Sequence, residues 1–226
     1  MCLNGARTRA EHPSLPISPA ELATAAAEAV AAGATDVHLH PKTPDGRDSM
    51  AASVVAAALA AVRSVAPGIT VGVTTGAWTA STVERVDQVH TWTVLPDHAS
   101  VNWHEEGAED VAIALLSRGV AVHAGVFSGT DAAARLRRSS LLGRIDRILA
   151  EVIPPATDVD ELLGSLDGLA PRILLHGEEG ATWPVFRRAQ ALGLDTRIGL
   201  EDTLMLPDGA PAASNADLVR AALQLS

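Results

Sequence analysis

Along the chain, short runs of β-branched residues give way to longer segments in which apolar positions recur every three or four residues, and this exchange repeats almost without a break. Strand patterns fall at residues 2–4, 36–40, 69–74, 99–103, 120–126, 147–152, 173–176 and 196–200. Helical patterns fall at 19–32, 51–65, 82–88, 108–118, 130–137, 158–165, 183–192 and 216–225. Ser18 is placed to cap the first helix with Pro19 behind it, Asn215 precedes the last one, and Gly33, Gly119 and Gly193 stand just past helix ends. Strands alternating with helices imply a parallel sheet. Eight such units predict an α/β protein with a (β/α)8 TIM barrel near the small end of its size range. The competing fold is an open doubly wound sheet, which here lacks its usual ligand signatures: there is no GxGxxG after a first strand and no GxxxxGK[ST].

Composition narrows the class of protein. The 226 residues are 47% apolar and 19% charged, enough for one large core, and a single domain over 1–226 is expected. The net charge of −10, with Arg135, Arg137 and Arg138 as the one basic cluster, argues against a nucleic-acid partner or an anionic membrane surface. Cys2 is the only cysteine, so no internal disulfide can form. No apolar run approaches the roughly 20 residues needed to span a bilayer, and no secretory apolar segment follows Met1. A soluble, cytoplasmic protein is the expectation.

The residues that can do chemistry collect where predicted strands end, the face on which barrel enzymes build their sites. They are Asn4; His38 and His40; Thr74 and Thr75; Asn102 and His104; Glu151; His176 and Glu178; and Arg197, Glu201 and Asp202. His38 and His40 are two apart, so on a strand they leave the same face roughly 6.6 Å apart, and both imidazoles can turn to one cation. Glu201 could add a carboxylate. A bare HxH is equally compatible with a strand end that has no ligand, and His104, His123 and His176 taken singly read more simply as satisfied histidines.

Taken together, Asn4-Gly5-Ala6, Pro19-Ala20-Glu21-Leu22, Val37-His38-Leu39-His40, Thr74-Thr75-Gly76 and above all Arg197-Ile198-Gly199-Leu200-Glu201-Asp202 resemble the β-keto acid cleavage enzymes, whose founding activity is 3-keto-5-aminohexanoate cleavage. The resemblance runs nearly end to end. It implies a zinc-dependent barrel that takes a β-keto acid and acetyl-CoA and gives acetoacetate and a new acyl-CoA, working as a homo-oligomer, a dimer or tetramer. By position it makes His38, His40 and Glu201 the Zn2+ ligands and assigns proton and charge handling to Asp202, Arg197 and the hydroxyl of Thr74. Asn4, Thr75, Asn102 and Lys42 are then the candidate substrate contacts.

Three departures from the family pattern bear on the substrate. Lys42 stands where an arginine is usual, keeping the charge but losing the bidentate fork. Gly125 stands where a fifth-strand glutamate is expected, which argues against 3-keto-5-aminohexanoate itself. The chain is also shorter than typical members. Two other enzymatic readings stay open at this level: a metal-dependent hydrolase or retro-aldol lyase, with His104, His123, His176 and Asp202 as further ligands of a two-metal centre, and a Schiff-base aldolase, for which Lys42, the only lysine, is the one possible imine site. A barrel that has lost its chemistry and serves as a scaffold is the non-enzymatic alternative.

Overall fold

The computed structural model describes residues 1–225. Helices and strands alternate along it: α1 (Pro19–Ala31), β1 (Asp36–Leu39), α2 (Ala52–Val65), β2 (Thr70–Thr74), α3 (Thr82–Thr91), β3 (His98–Asn102), α4 (Ala108–Ser117), β4 (Ala121–Phe127), α5 (Ala132–Arg138), β5 (Arg147–Val152), α6 (Val159–Ser165), β6 (Arg172–Gly177), α7 (Thr182–Ala191) and α8 (Asn215–Gln224). The chain divides into two compact units.

The first unit holds residues 1–74, 91–97 and the chain from Ile198 onward. β1 and β2 pair in parallel, with His38 opposite Gly72 and Leu39 opposite Val73. The period-two alternation of β1 buries Val37 and Leu39 on one face and turns His38 to the other. α1 packs on α2 and α8, and Leu22, Ala26, Val55, Leu59, Leu218 and Val219 of these helices are buried. Burying each of the larger aliphatic side chains is worth roughly 1.5–3 kcal/mol. α1 begins with a capping box: the Ser18 hydroxyl accepts from the Glu21 backbone N–H at 3.3 Å, and the Glu21 carboxylate accepts from the Ser18 N–H at 2.9 Å. α8 is capped by Ser214 instead of Asn215, whose side chain has another use described below.

The second unit holds residues 75–90 and 98–197. β3, β4, β5 and β6 pair in parallel in sequence order. α4 covers β3 and β4, and α5, α6 and α7 lie against β4, β5 and β6 respectively. In register, Phe127, Glu151 and His176 form one row across β4, β5 and β6, so they share a face of the sheet.

The α/β architecture with parallel pairing agrees with the sequence expectation, and so do all eight helices to within three residues at each end. Six strands form among the described residues, however, where eight were expected. Segment 2–4 makes a single bridge, Cys2 with His38, and segment 196–200 follows directly on another, Asp195 with Leu174. Both shortfalls have a local cause. Beyond Leu3, the Asn4 side chain takes over the pairing that a backbone rung would make, accepting from His40 N and donating to His40 O. At Gly199 the backbone lies so close to Cys2 that a Cβ would stand 1.8 Å from the Cys2 carbonyl oxygen, and the chain then turns.

Candidate metal centre and second-unit polar cluster

In the first unit, residues 1–4 run between β1 and the segment from Ile198 to Glu201. Leu3 N–H donates to His38 O at 3.0 Å and His38 N–H to Met1 O at 2.7 Å, while Cys2 N–H donates to Ile198 O at 3.1 Å. Two buried asparagines complete the clamp. Asn4 Oδ1 accepts from His40 N–H and its Nδ2 donates to His40 O, both at 2.9 Å, with a second donation to Pro16 O at 3.1 Å. Asn215 accepts from Leu200 N–H and donates to Leu3 O, each at 2.9 Å. These bonds fix the backbones that carry His40 and Glu201.

The Gly199-Leu200-Glu201-Asp202 segment closes as a turn, Asp202 N–H and Thr203 N–H both donating to Gly199 O, at 2.9 and 3.0 Å. Arg7 Nε donates to Glu201 O at 3.2 Å. Gly5, at φ +56°, passes under the Glu201 side chain, and a Cβ there would lie 2.5 Å from Glu201 Cγ. The result is a group in which one ligand atom each from His38, His40 and Glu201 lies within 4.8 Å of the others. His40 Nε2 is 3.7 Å from Glu201 Oε2. A tetrahedral ion with bonds of about 2.05 Å spaces its ligand atoms roughly 3.4 Å apart, so little movement would be needed to close the set on a cation. Two nitrogens and a carboxylate oxygen suit a divalent ion that keeps open positions.

His40 is oriented from behind. Its Nδ1 is 2.9 Å from Asp48 Oδ2, and the other Asp48 oxygen takes an ion pair from the Lys42 ammonium. A proton on Nδ1, donated to the carboxylate, leaves the Nε2 lone pair facing Glu201, the arrangement metal-binding histidines use. Burial raises the Asp48 carboxyl, but His40 and Lys42 together outweigh it and hold the group below its ordinary range. Lys42 and Asp48 are both almost wholly enclosed, at 1% and 5% side-chain exposure. The lysine is therefore enclosed against Asp48. Asp48 had no signal of its own in the sequence; a carboxylate eight residues after His40 becomes visible only when the loop folds back.

The remaining candidates fall in both units. Thr74 and Asp202 are buried in the first. In the second, the Thr75 hydroxyl donates to Ser100 O at 2.7 Å, and Asn102 Nδ2 donates to Glu105 Oε1 at 2.9 Å. Glu105 is held in turn by Arg85 at 2.9 Å. At Gly125, on β4, a Cβ would meet Asn102 Oδ1 at 2.7 Å, so the asparagine occupies space that a larger residue there would need. Arg197 Nε donates to His176 Nδ1 at 3.1 Å, and His176 Nε2 is 3.4 Å from Glu151 Oε2. His104 lies against Phe127 with ring centroids 4.6 Å apart, and His123 stacks on His98 at 4.0 Å while facing Asp146. Among the described residues, His104, His123, His176 and Asp202 form no group that could hold a metal ion, whereas His38, His40 and Glu201 form one that could.

A sequence model described as beta-keto acid cleavage enzyme matches residues 1–132 and 160–226. Among curated proteins none matches the chain by sequence. Among solved structures the chain is similar to ObcA in a binary complex with oxaloacetate, with a TM-score of 0.68 and 18% identity over 94% of this chain and 63% of that one. It is similar to a ternary complex of ObcA with a C4-CoA adduct and oxalate at 0.68 and 17%, with the same coverage. The homocysteine methyltransferase MmuM from Escherichia coli aligns at 0.58 and 15% identity, over 99% of this chain and 89% of that one. At these identities the likeness is one of fold. The chain spans about 63% of the length of ObcA.

Proposed function

This chain belongs to the β-keto acid cleavage enzyme family, and on that premise we propose that it is a zinc-dependent enzyme that exchanges acyl groups between a β-keto acid and acetyl-CoA. The observation that carries the reading is the convergence of His38, His40 and Glu201, with Asp48 behind His40. ObcA, which shares the fold, binds oxaloacetate and a C4-CoA adduct, and ligands of that chemistry are the ones proposed here. In the reaction, the α-carbon of the β-keto acid joins the acetyl carbonyl as the acetyl–sulfur bond breaks, and the released CoA thiolate bonds to the keto carbon as the bond between that carbon and the α-carbon breaks. The products are acetoacetate and the CoA ester of the remaining acyl fragment. The reading also makes the chain a (β/α)8 barrel whose first and eighth staves are reduced to the bridged segments at Cys2 and Asp195, a view supported by those bridges.

Zinc held by His38, His40 and Glu201 would act as a Lewis acid toward the charge that develops on the keto oxygen. The rest belongs to the side chains. Asp48 fixes the His40 tautomer, Asn4 fixes its backbone, and Gly5 leaves room for the Glu201 chain. Asp202, a carboxylate with no solvent exposure, takes and returns the proton at the α-carbon. Arg197 offers the guanidinium fork to a carboxylate, and the Thr74 hydroxyl hydrogen-bonds the reacting oxygen. Asn4, Thr75, Asn102 and Lys42 are proposed to serve substrate binding, directly or as support. For Asn4, Thr75 and Lys42 the contacts described above point to support of the walls, because their donors already serve backbone carbonyls or Asp48.

The test is metal content per chain on the purified protein, followed on the same sample by a panel of β-keto acids with acetyl-CoA and detection of acetoacetate. About one zinc per chain with acetoacetate formed is the expected result. Zinc without acetoacetate would favour hydrolase or lyase chemistry, and metal-free protein that stays inactive after zinc is restored would overturn the reading.

A further inference from the structure

We propose that Glu151 and His176 are positioning residues for Arg197, a proposal that rests on the acyl-exchange reading only for its kinetic consequence. The three side chains form one buried line in the second unit: Glu151, His176 and Arg197 have 6%, 1% and 8% exposure. Glu151 and His176 are register partners on β5 and β6, so the sheet sets their separation, and His176 Nε2 stands 3.4 Å from Glu151 Oε2. Arg197 comes from the segment just after the Asp195 bridge to β6 and reaches His176 Nδ1 through its Nε, at 3.1 Å.

The chemistry of the donors fixes the protonation pattern. Arginine Nε always carries its hydrogen and cannot accept, so His176 Nδ1 must present a lone pair. The neutral ring then carries its proton on Nε2, the nitrogen that faces Glu151. A carboxylate in that place favours this tautomer over the other, which would set N–H against N–H at Arg197. This is the logic by which a carboxylate behind a histidine fixes which ring nitrogen works. With Nε engaged, the plane of the guanidinium is set, and so is the direction in which its two terminal nitrogens point. Holding a planar fork in one orientation is what bidentate carboxylate recognition needs, and an error of about 1 Å in such a group costs on the order of 10²-fold in rate. Neither Glu151 nor His176 touches substrate in this scheme; both act through Arg197.

The experiment compares wild type with His176→Ala, His176→Asn and Glu151→Gln. Asparagine places an oxygen at the same remove from Cα as Nδ1, so it can accept from Arg197 Nε where alanine cannot. In 15N-edited spectra, with the Arg197 signal identified by its loss in Arg197→Lys, we expect an exchange-protected Nε–H in wild type and His176→Asn and a rapidly exchanging one in His176→Ala. We expect kcat/KM for the β-keto acid to fall about 10²-fold in His176→Ala, to recover at least tenfold in His176→Asn, and to fall severalfold in Glu151→Gln, with metal content unchanged throughout. Equal Nε–H protection in all variants, or asparagine no better than alanine, would overturn the proposal. A wild type without acyl-exchange activity would remove the functional reading, while the spectra would still decide whether His176 holds Arg197.

Discussion

Replacing Gly5 by alanine separates the cost of a backbone shape from the cost of a crowded ligand. Gly5 sits at φ +56°, and a Cβ there would lie 2.5 Å from Glu201 Cγ, 3.0 Å from its Cβ and 3.2 Å from its Cα. Left-handed backbone costs a non-glycine residue roughly 1–2 kcal/mol. Relaxed carbon contacts are about 3.5–4.0 Å, so the Glu201 chain must also withdraw by about 1 Å. Metal bonds tolerate about 0.2 Å, so a shift of that size takes the carboxylate out of ligating range. Gly68 in the same unit is the control: its φ is +87° and nothing lies within 4 Å of its added Cβ. Gly68→Ala is expected to lower Tm by a few degrees, about 2–4 °C per kcal/mol at this size, and to bind zinc as wild type does. Gly5→Ala is expected to lose at least as much stability and to bind zinc at least tenfold more weakly, about 1.4 kcal/mol, in competition with a chromophoric chelator. Wild-type zinc affinity in Gly5→Ala would refute the placement of Glu201 over Gly5 as a ligand.

Three further outcomes are expected. Asp48→Asn leaves Lys42 enclosed without its counter-charge, costing about 3–5 kcal/mol of stability, and lowers zinc affinity about 10–100-fold through His40; adding Lys42→Met should restore the Tm but not the affinity, and chelator competition beside thermal melts would show whether the two effects separate. Glu201→Gln and His40→Ala should lose metal and turnover together, whereas Asp202→Asn should keep the metal and lose turnover; metal loss in the last would mean that Glu201 and Asp202 have exchanged roles. Backbone N–H donation from Ser18, opposed by partial burial and reinforced by Ile17 N–H, Arg9 and the Ser18 hydroxyl, lowers the Glu21 carboxyl from 4.5 to about 2. Because the folded value is the lower one, its contribution is full above about pH 4.5 and is lost as pH falls toward 2. Wild type and Glu21→Gln should therefore differ in Tm at neutral pH and converge at pH 2; a constant difference would sink the linkage.

Helices and the six strands were legible because each carries its own signal: apolar spacing, a glycine past the end, β-branched runs. The 2–4 and 196–200 segments carry the same local signal, but their pairing is decided by Asn4 and Gly199, whose roles depend on residues more than thirty positions away. His38, His40 and Glu201 could be named from residue type and motif, since ligand chemistry is a property of the side chain itself. Asp48, Asn215 and the Gly125–Asn102 contact could not, because each acts through a partner that only folding supplies. Glu151 was visible as a carboxylate at a strand end; that it shares a sheet face with His176 required the register.

The clamp that joins Leu3 to Asn215 links positions 212 apart in sequence, and this has a consequence for synthesis. A chain emerging from the ribosome displays His38 and His40 well before Glu201 and the turn that carries it. Loop closure grows only slowly with length, by about 0.6 kcal/mol per doubling, so equilibrium stability suffers little from the separation. Timing is what changes. Until Glu201 has emerged, a nascent chain can offer a cation two imidazoles but not the carboxylate of the three-residue group, so that group cannot guide the first folding steps.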